Sequence, residues 1–164
     1  MDGESLYCSN CETQIKNDNE YCVNCGLIFL EEKKCYLHKE NEAQGICLIC
    51  LKLCCNKCGL FVNHVYLCNE HSDYEIIEGM ARVYGSSDYL ELSFLKDVLE
   101  KESFHPFLYS RKSGPISLGN VDYSLFRASG EYDDHLINEI KLMLPLNEII
   151  EAEKIVETLL NNQY

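Results

Sequence analysis

Six short ligand pairs constrain this chain more than any other feature. Cys8 and Cys11, Cys22 and Cys25, Cys35 and His38, Cys47 and Cys50, Cys55 and Cys58, and Cys68 and His71 each stand with two residues between them. Two sulfur or imidazole ligands at that spacing grip one metal ion from a tight turn, and a closed tetrahedral zinc site takes two such pairs. Twelve ligands therefore make three sites. All eleven cysteines lie between Cys8 and Cys68, so the composition changes abruptly near Ser72.

A cysteine-dense chain can instead be a secreted disulfide scaffold. Here the cysteine count is odd, the cysteines are paired at metal-knuckle spacing, and histidines share the pattern. The opening residues MDGESLYC have neither the basic end nor the apolar run of a secretory signal. No stretch approaches the roughly 18 consecutive apolar residues of a membrane helix. The expectation is a soluble protein of a reducing compartment, the cytoplasm, with no membrane partner.

The charge bears on partners. The formal net charge is -13, and ten metal-bound thiolates would outweigh three zinc ions and deepen it. Both parts of the chain are acidic: residues 1–74 carry 11 acids against 6 bases, and residues 75–164 carry 16 against 8. Phosphate backbones attract clustered Lys and Arg. The cysteine-bearing part offers Lys33 and Lys34 side by side, with Lys39, Lys52 and Lys57 scattered. Nucleic acid is a poor partner for such a surface.

In the first module, Cys8 and Cys11 are followed after ten residues by Cys22 and Cys25. Gly26 stands behind the second pair, where the backbone must turn tightly toward the sulfurs. Asn17, Asp18 and Asn19 mark the turn between the arms. Residues 1–30 resemble the short zinc-ribbon modules of many prokaryotic proteins. So short a piece buries little, and metal binding is expected to supply most of its folding free energy. The charged residues 30–34 read as a solvated linker that lets the ribbon move.

Residues 33–73 hold the other four pairs. Only four residues separate Cys50 from Cys55, a short tether for two arms of one tetrahedron, so the spacing permits an interleaved pairing. The pattern Cys-x2-His-x8-Cys-x2-Cys-x4-Cys-x2-Cys-x9-Cys-x2-His resembles the B-box zinc finger, in its prokaryotic form. That resemblance implies cross-bracing: Cys35, His38, Cys55 and Cys58 on one zinc, and Cys47, Cys50, Cys68 and His71 on the other. Cys54 could replace Cys55, and His64 stands where many eukaryotic B-boxes place a ligand. Cys55, Cys68 and His71 are preferred because they keep the two-residue gap. Phe61 and Val62 with Val65, Tyr66 and Leu67 read as a small hairpin.

From Glu75 onward the pattern changes to strands and helices. Residues 80–84 read as a strand, and Ser86 or Ser87 as the cap of a helix to about residue 102, with Leu92, Leu95, Val98 and Leu99 at helical spacing. Residues 105–110 begin a second strand, with Pro106 near its start. A Gly- and Ser-rich loop over 113–130 is broken by a short strand at 121–127. A strand over 136–144 leads through Pro145 into a helix capped by Asn147 and carrying Ile149, Ala152, Ile155, Val156, Leu159 and Leu160. This order predicts an α+β domain over 76–164, a small open sheet with two helices on one face. The segments 80–110 and 140–159 resemble the putative prokaryotic signal-transducing protein family, which implies a ferredoxin-like or PII-like fold. Phe104-His105-Pro106-Phe107 stands in place of that family's Gly-Ile-Pro-Ala turn, and Leu144-Pro145 in place of Val-Pro.

Shells of four protein ligands rich in sulfur are structural, whereas a catalytic zinc keeps an open position. No phosphate-binding Gly-rich loop, nucleophile elbow or His-Glu-x-x-His motif is present. Asp133, Asp134 and His135 read as a solvated loop. The expected function is a non-enzymatic adaptor with three structural Zn2+ ions and no catalytic residues. It would bind a protein partner, in signal transduction, with self-pairing through exposed edge strands of the C-terminal domain as a further expectation. The alternatives are a nucleic-acid-associated zinc-ribbon protein and a ubiquitin-ligase-like B-box protein.

Overall fold

The computed structural model describes residues 6–16, 18–30, 32–110 and 139–161, together with the backbone of 117–118, 121–122, 131–132 and 135–136. The chain divides into two compact units, Met1–Ala81 and Arg82–Tyr164. No described helix is long and apolar enough to cross a membrane.

The first unit is made of two-stranded ladders joined by tight turns. They are β1 (Leu6–Tyr7) with β2 (Gln14–Ile15), β3 (Gly45–Ile46) with β4 (Leu53–Cys54), and β5 (Gly59–Val62) with β6 (Val65–Cys68). Such short hairpins are marginal alone. Here the buried set is largely sulfur: Cys8, Cys22, Cys25, Cys35, Cys47, Cys54, Cys55, Cys58 and Cys68, joined by Ile46, Leu48, Ile49, Val65, Tyr66 and Leu67. The expected central hairpin forms as β5–β6, turning through Asn63 and His64 at φ +47° and +67°. Two consecutive positive φ values are what a tight two-residue hairpin turn demands. Asn63 Nδ2 donates to the Ile76 carbonyl at 3.0 Å, which ties the turn to β7 (Ile76–Ile77). The latter pairs with the first residues of β8 (Met80–Ser86).

The ribbon does not swing on a free linker. Ile46 N–H donates to the Gly26 carbonyl and Tyr66 N–H to the Cys25 carbonyl, both at 2.8 Å, and Leu27 bridges to Gly45. Lys33 Nζ reaches the Glu20 carboxylate at 3.1 Å. The expected mobility fails because these backbone bonds bypass residues 30–34.

In the second unit, β8 runs into α1 (Tyr89–Lys101), β9 (Phe107–Tyr109), β14 (Ile140–Pro145) and α2 (Ile149–Asn161). Strand β14 lies between β8 and β9 and is antiparallel to β9, with Leu142 opposite Leu108. Between β9 and β14, β10 (Ser117–Leu118) pairs with β11 (Val121–Asp122), and β12 (Glu131–Tyr132) with β13 (His135–Leu136). Residues 123–127 of the expected strand, and the side chains of Asp133, Asp134 and His135, lie outside the described residues. Successive strand residues face opposite ways, yet Leu142, Met143 and Leu144 are all buried, so β14 is covered on both faces. α1 packs against α2 and β14, burying Leu92, Leu95 and Leu99 against a core that includes Ile149, Ala152 and Val156. The strand order β8-β14-β9, with a helix linking the outer pair, is that of a split β-α-β unit. No strand follows α2 among the described residues.

The helix ends differ from the expectation. Asp88, not Ser86 or Ser87, caps α1: its Oδ1 accepts from Leu90 N–H at 2.8 Å and Glu91 N–H at 3.3 Å. Ser86 Oγ instead accepts from Asp88 N–H at 3.0 Å. At the other end, Ser103 N–H donates to Glu100 O and Phe104 N–H to Leu99 O, with Ser103 at φ +69°. This is a Schellman stop with serine in the glycine position. His105 N–H and Nδ1 then meet the two Glu148 carboxylate oxygens at 2.8 and 2.7 Å, tying the α1–β9 turn to the turn before α2. Asn147 lies inside a short 3-10 turn, Leu146–Glu148, and does not cap α2.

Candidate metal centres

Each cysteine pair sits on a turn of repeating design. In the ribbon, Cys8 N–H donates to Thr13 O and Glu12 N–H to Cys8 O, both at 2.9 Å; Cys22 N–H donates to Leu27 O and Gly26 N–H to Cys22 O, both at 2.8 Å. Cys47 repeats the scheme, donating to Lys52 O at 3.0 Å while Leu51 N–H returns to Cys47 O at 2.8 Å. The residue after the second cysteine is left-handed in all three: Glu12 at φ +56°, Gly26 at +78° and Leu51 at +58°. The reversal aims both thiols of a pair inward, and only at Gly26 does the sequence supply the residue that does this without strain.

These turns bring the twelve expected residues into three clusters. Cys8, Cys11, Cys22 and Cys25 form one; Cys35, His38, Cys55 and Cys58 the second; Cys47, Cys50, Cys68 and His71 the third. Within each cluster the ligand atoms all lie within 4.8 Å of one another, so each could hold a metal ion. A tetrahedron with sulfur arms of about 2.3 Å has edges of roughly 3.8 Å. Sulfur pairs at 3.6 Å (Cys8–Cys25), 3.5 Å (Cys11–Cys22 and Cys35–Cys58), 3.7 Å (Cys55–Cys58) and 3.8 Å (Cys50–Cys68) come close to that edge. They are far from the roughly 2.05 Å of a disulfide, and all eleven cysteines are free. Both histidines turn Nδ1 inward: His38 to within 2.9 Å of Cys58 Sγ and 3.5 Å of Cys55 Sγ, and His71 to 3.1 Å from Cys68 Sγ and 3.5 Å from Cys47 Sγ.

The pairing between the second and third clusters is interleaved. The β3–β4 ladder explains the choice of Cys55. Cys54 ends β4 opposite Gly45, so its side chain and that of Cys55 take opposite faces. Cys54 Sγ lies 3.5 Å from the Lys52 carbonyl, fully buried and outside the clusters, and burial pushes its thiol up to about 12. His64 occupies the β5–β6 turn, and its carbonyl accepts from Asn10 Nδ2 at 3.3 Å.

Four thiols packed together cannot all ionise without a cation. Burial drives Cys25, Cys50 and Cys58 up to about 12, with repulsion from neighbouring cysteines adding to it. At Cys11 and Cys35 burial also opposes the charge, but hydrogen bonds outweigh it and bring the thiols down to about 6. The donors are Thr13 and Asn24 at Cys11, and the backbone of His38, Cys55 and Leu37 at Cys35. Each cluster thus combines pre-formed thiolate character with a strong demand for a positive ion. The side chains that tune the sulfurs escape reading by spacing: Thr13 Oγ1 at 3.3 Å from Cys11 Sγ and Asn41 Nδ2 at 3.7 Å from Cys55 Sγ belong to no ligand pair.

Tyr66 is the other residue that spacing does not mark. Its ring fills the hollow left by Gly26, Gly45 and Gly59 and stands edge-on to Phe61 at 5.0 Å. Its hydroxyl reaches the carbonyls of Cys54 and Cys55 at 3.1 and 3.2 Å.

The class defined by fold and site is a chain with three closed, sulfur-rich clusters able to hold metal in one unit, followed by a small mixed sheet-and-helix unit. No protein-family model, curated protein or solved structure matches the chain.

Proposed function

We propose that this chain is a zinc-binding, non-catalytic adaptor whose metal-built unit presents a surface to a protein partner. The observation that carries the reading is closure: every cluster supplies four protein ligands, three or four of them sulfur, which leaves no open coordination position. Sulfur-rich tetrahedral sets select zinc among the common divalent ions. Three zinc ions would therefore act structurally, and their thiolates call for a reducing compartment such as the cytoplasm.

Surface chemistry supports the partner. Val23, Leu37 and Leu51, on or beside the cysteine turns, are 66%, 60% and 57% exposed, an apolar presentation unusual for a fold with so little core. Lys33, Lys34 and Lys52 are already paired with Glu20, Glu42 and Glu70, which further weakens a nucleic-acid reading. The second unit, on the resemblance of its sequence to ferredoxin-like signal-transducing proteins, would carry the regulatory or self-pairing role. Native mass spectrometry of the full chain tests the proposal. Three zinc ions per chain are expected; two or fewer would mean that one cluster is open, and would return metal-based sensing or catalysis to consideration. Retention on nucleic acid at physiological salt, or transfer of ubiquitin from a conjugating enzyme, would favour the alternatives.

A further inference from the structure

One residue touches the turns of all three clusters. Tyr66 N–H donates to the Cys25 carbonyl of the ribbon at 2.8 Å. Its own carbonyl accepts from Leu48 N–H, inside the Cys47–Cys50 turn, at 3.3 Å. Its hydroxyl bridges the Cys54 and Cys55 carbonyls beside the second cluster. Cys68, a ligand of the third cluster, lies two residues further along β6.

The ribbon side of this contact is built for it. At Gly26, φ +78°, a Cβ would stand 2.4 Å from the Ile46 carbonyl oxygen and 3.1 Å from Tyr66 Cβ, so the ribbon turn presses directly on β3 and β6. Gly45, opposite Cys54 in the β3–β4 ladder, leaves room for the same ring, whose atoms a Cβ there would meet at 2.3 Å. These contacts place backbone hydrogen bonds of the ribbon on strands whose ends are themselves metal ligands.

We propose that Tyr66 couples the three metal centres, so that loss of the ion from either central cluster lowers retention of the ion in the ribbon, and the reverse. The physical route is backbone order. With an ion at Cys68 and His71, β6 is held and its Tyr66 amide is in place to fix the Cys25 turn; without it, the short β5–β6 hairpin frays and the ribbon loses that bond. Coupling between binding sites is reciprocal by thermodynamic necessity. The protein would then gain and lose its metals as one set. This inference rests on the zinc-binding reading above.

The test uses the full chain loaded with cadmium and titrated with a competing chelator while 113Cd NMR follows each site, since the all-sulfur ribbon is distinguished from the two sites that include an imidazole. In a Cys68→Ser/His71→Ala variant the ribbon signal should disappear at a chelator concentration at least tenfold lower than in the parent. Cys8→Ser should weaken the third cluster by a matching factor. Tyr66→Phe keeps the ring but removes the hydroxyl bonds, and should weaken the second cluster and the ribbon together. Helical circular dichroism from the second unit serves as the control for general unfolding. Ribbon curves that coincide with the parent in the Cys68→Ser/His71→Ala and Tyr66→Phe variants would overturn the coupling. A parent chain that binds no cadmium would sink the metal reading itself, whereas three ions lost independently would sink only the coupling.

Discussion

Replacing Gly26 by alanine should detach the ribbon from the strands beneath it. A left-handed residue with a Cβ costs about 1–2 kcal/mol. The new Cβ would also meet the Ile46 carbonyl oxygen at 2.4 Å, and backbone cannot yield as a side-chain tip can. Relief requires the turn to lift, which breaks the bonds from Ile46 N–H to Gly26 O and from Tyr66 N–H to Cys25 O. At about 0.5–1.5 kcal/mol net for each bond, the whole effect is about 2–5 kcal/mol. Chelator competition at the ribbon, read in the intact chain, should shift by about 30-fold or more, since each 1.4 kcal/mol is about tenfold. Glu12→Gly in the same site is the reverse control. Glu12 already sits at φ +56°, so glycine should strengthen retention slightly, by up to about 1 kcal/mol. Gly79→Ala completes the set: φ is +77° there but no atom stands within 4 Å, so only the conformational strain is felt and ribbon retention should not move. A Gly26→Ala shift smaller than about tenfold would refute the claim that close approach, rather than turn conformation alone, holds the ribbon.

Other outcomes follow from the same structure. Cys54→Ser should leave three metals per chain by mass spectrometry, because its sulfur lies outside every cluster. Asp88→Ala removes the acceptor for two amides at the start of α1 and should cost about 1 kcal/mol in denaturant unfolding of the second unit. Leu142→Ala, at a fully buried central-strand position, should cost about 2–5 kcal/mol in the same assay. Burial raises the Cys25, Cys50 and Cys58 thiols to about 12, so at neutral pH metal entry must displace protons from them. The sign is that loading acidifies an unbuffered solution, and lowering the pH weakens retention; pH-stat titration with zinc reads the first and chelator competition across pH the second.

The twelve clustering residues were legible because metal chemistry writes itself into spacing: two ligands on one turn must be near in sequence. Preference for the two-residue gap also picked Cys55 over its neighbour, and strand alternation at β4 gives the reason. The hairpin at Asn63–His64 was readable for a similar local cause, its flanking apolar pairs. Helix caps were less so. Ser86, Ser87 and Asp88 are all competent N-caps, and only the exit of β8 decides which amides come within reach. The stop at Ser103 carried no glycine to announce it.

Sequence alone, then, determined the ligands, their grouping into two-residue pairs, and the change from sulfur-rich turns to amphipathic helices near residue 75. These depend on contacts within a few residues, which local order records. Tertiary structure decided how the second and third clusters interleave, that the ribbon is bonded to β3 and β6, and that Tyr66 touches the turns of all three clusters. Those depend on backbone amides and carbonyls, which every residue carries alike, and on the space left by Gly26, Gly45 and Gly59, far apart along the chain and brought together around one ring only when it folds.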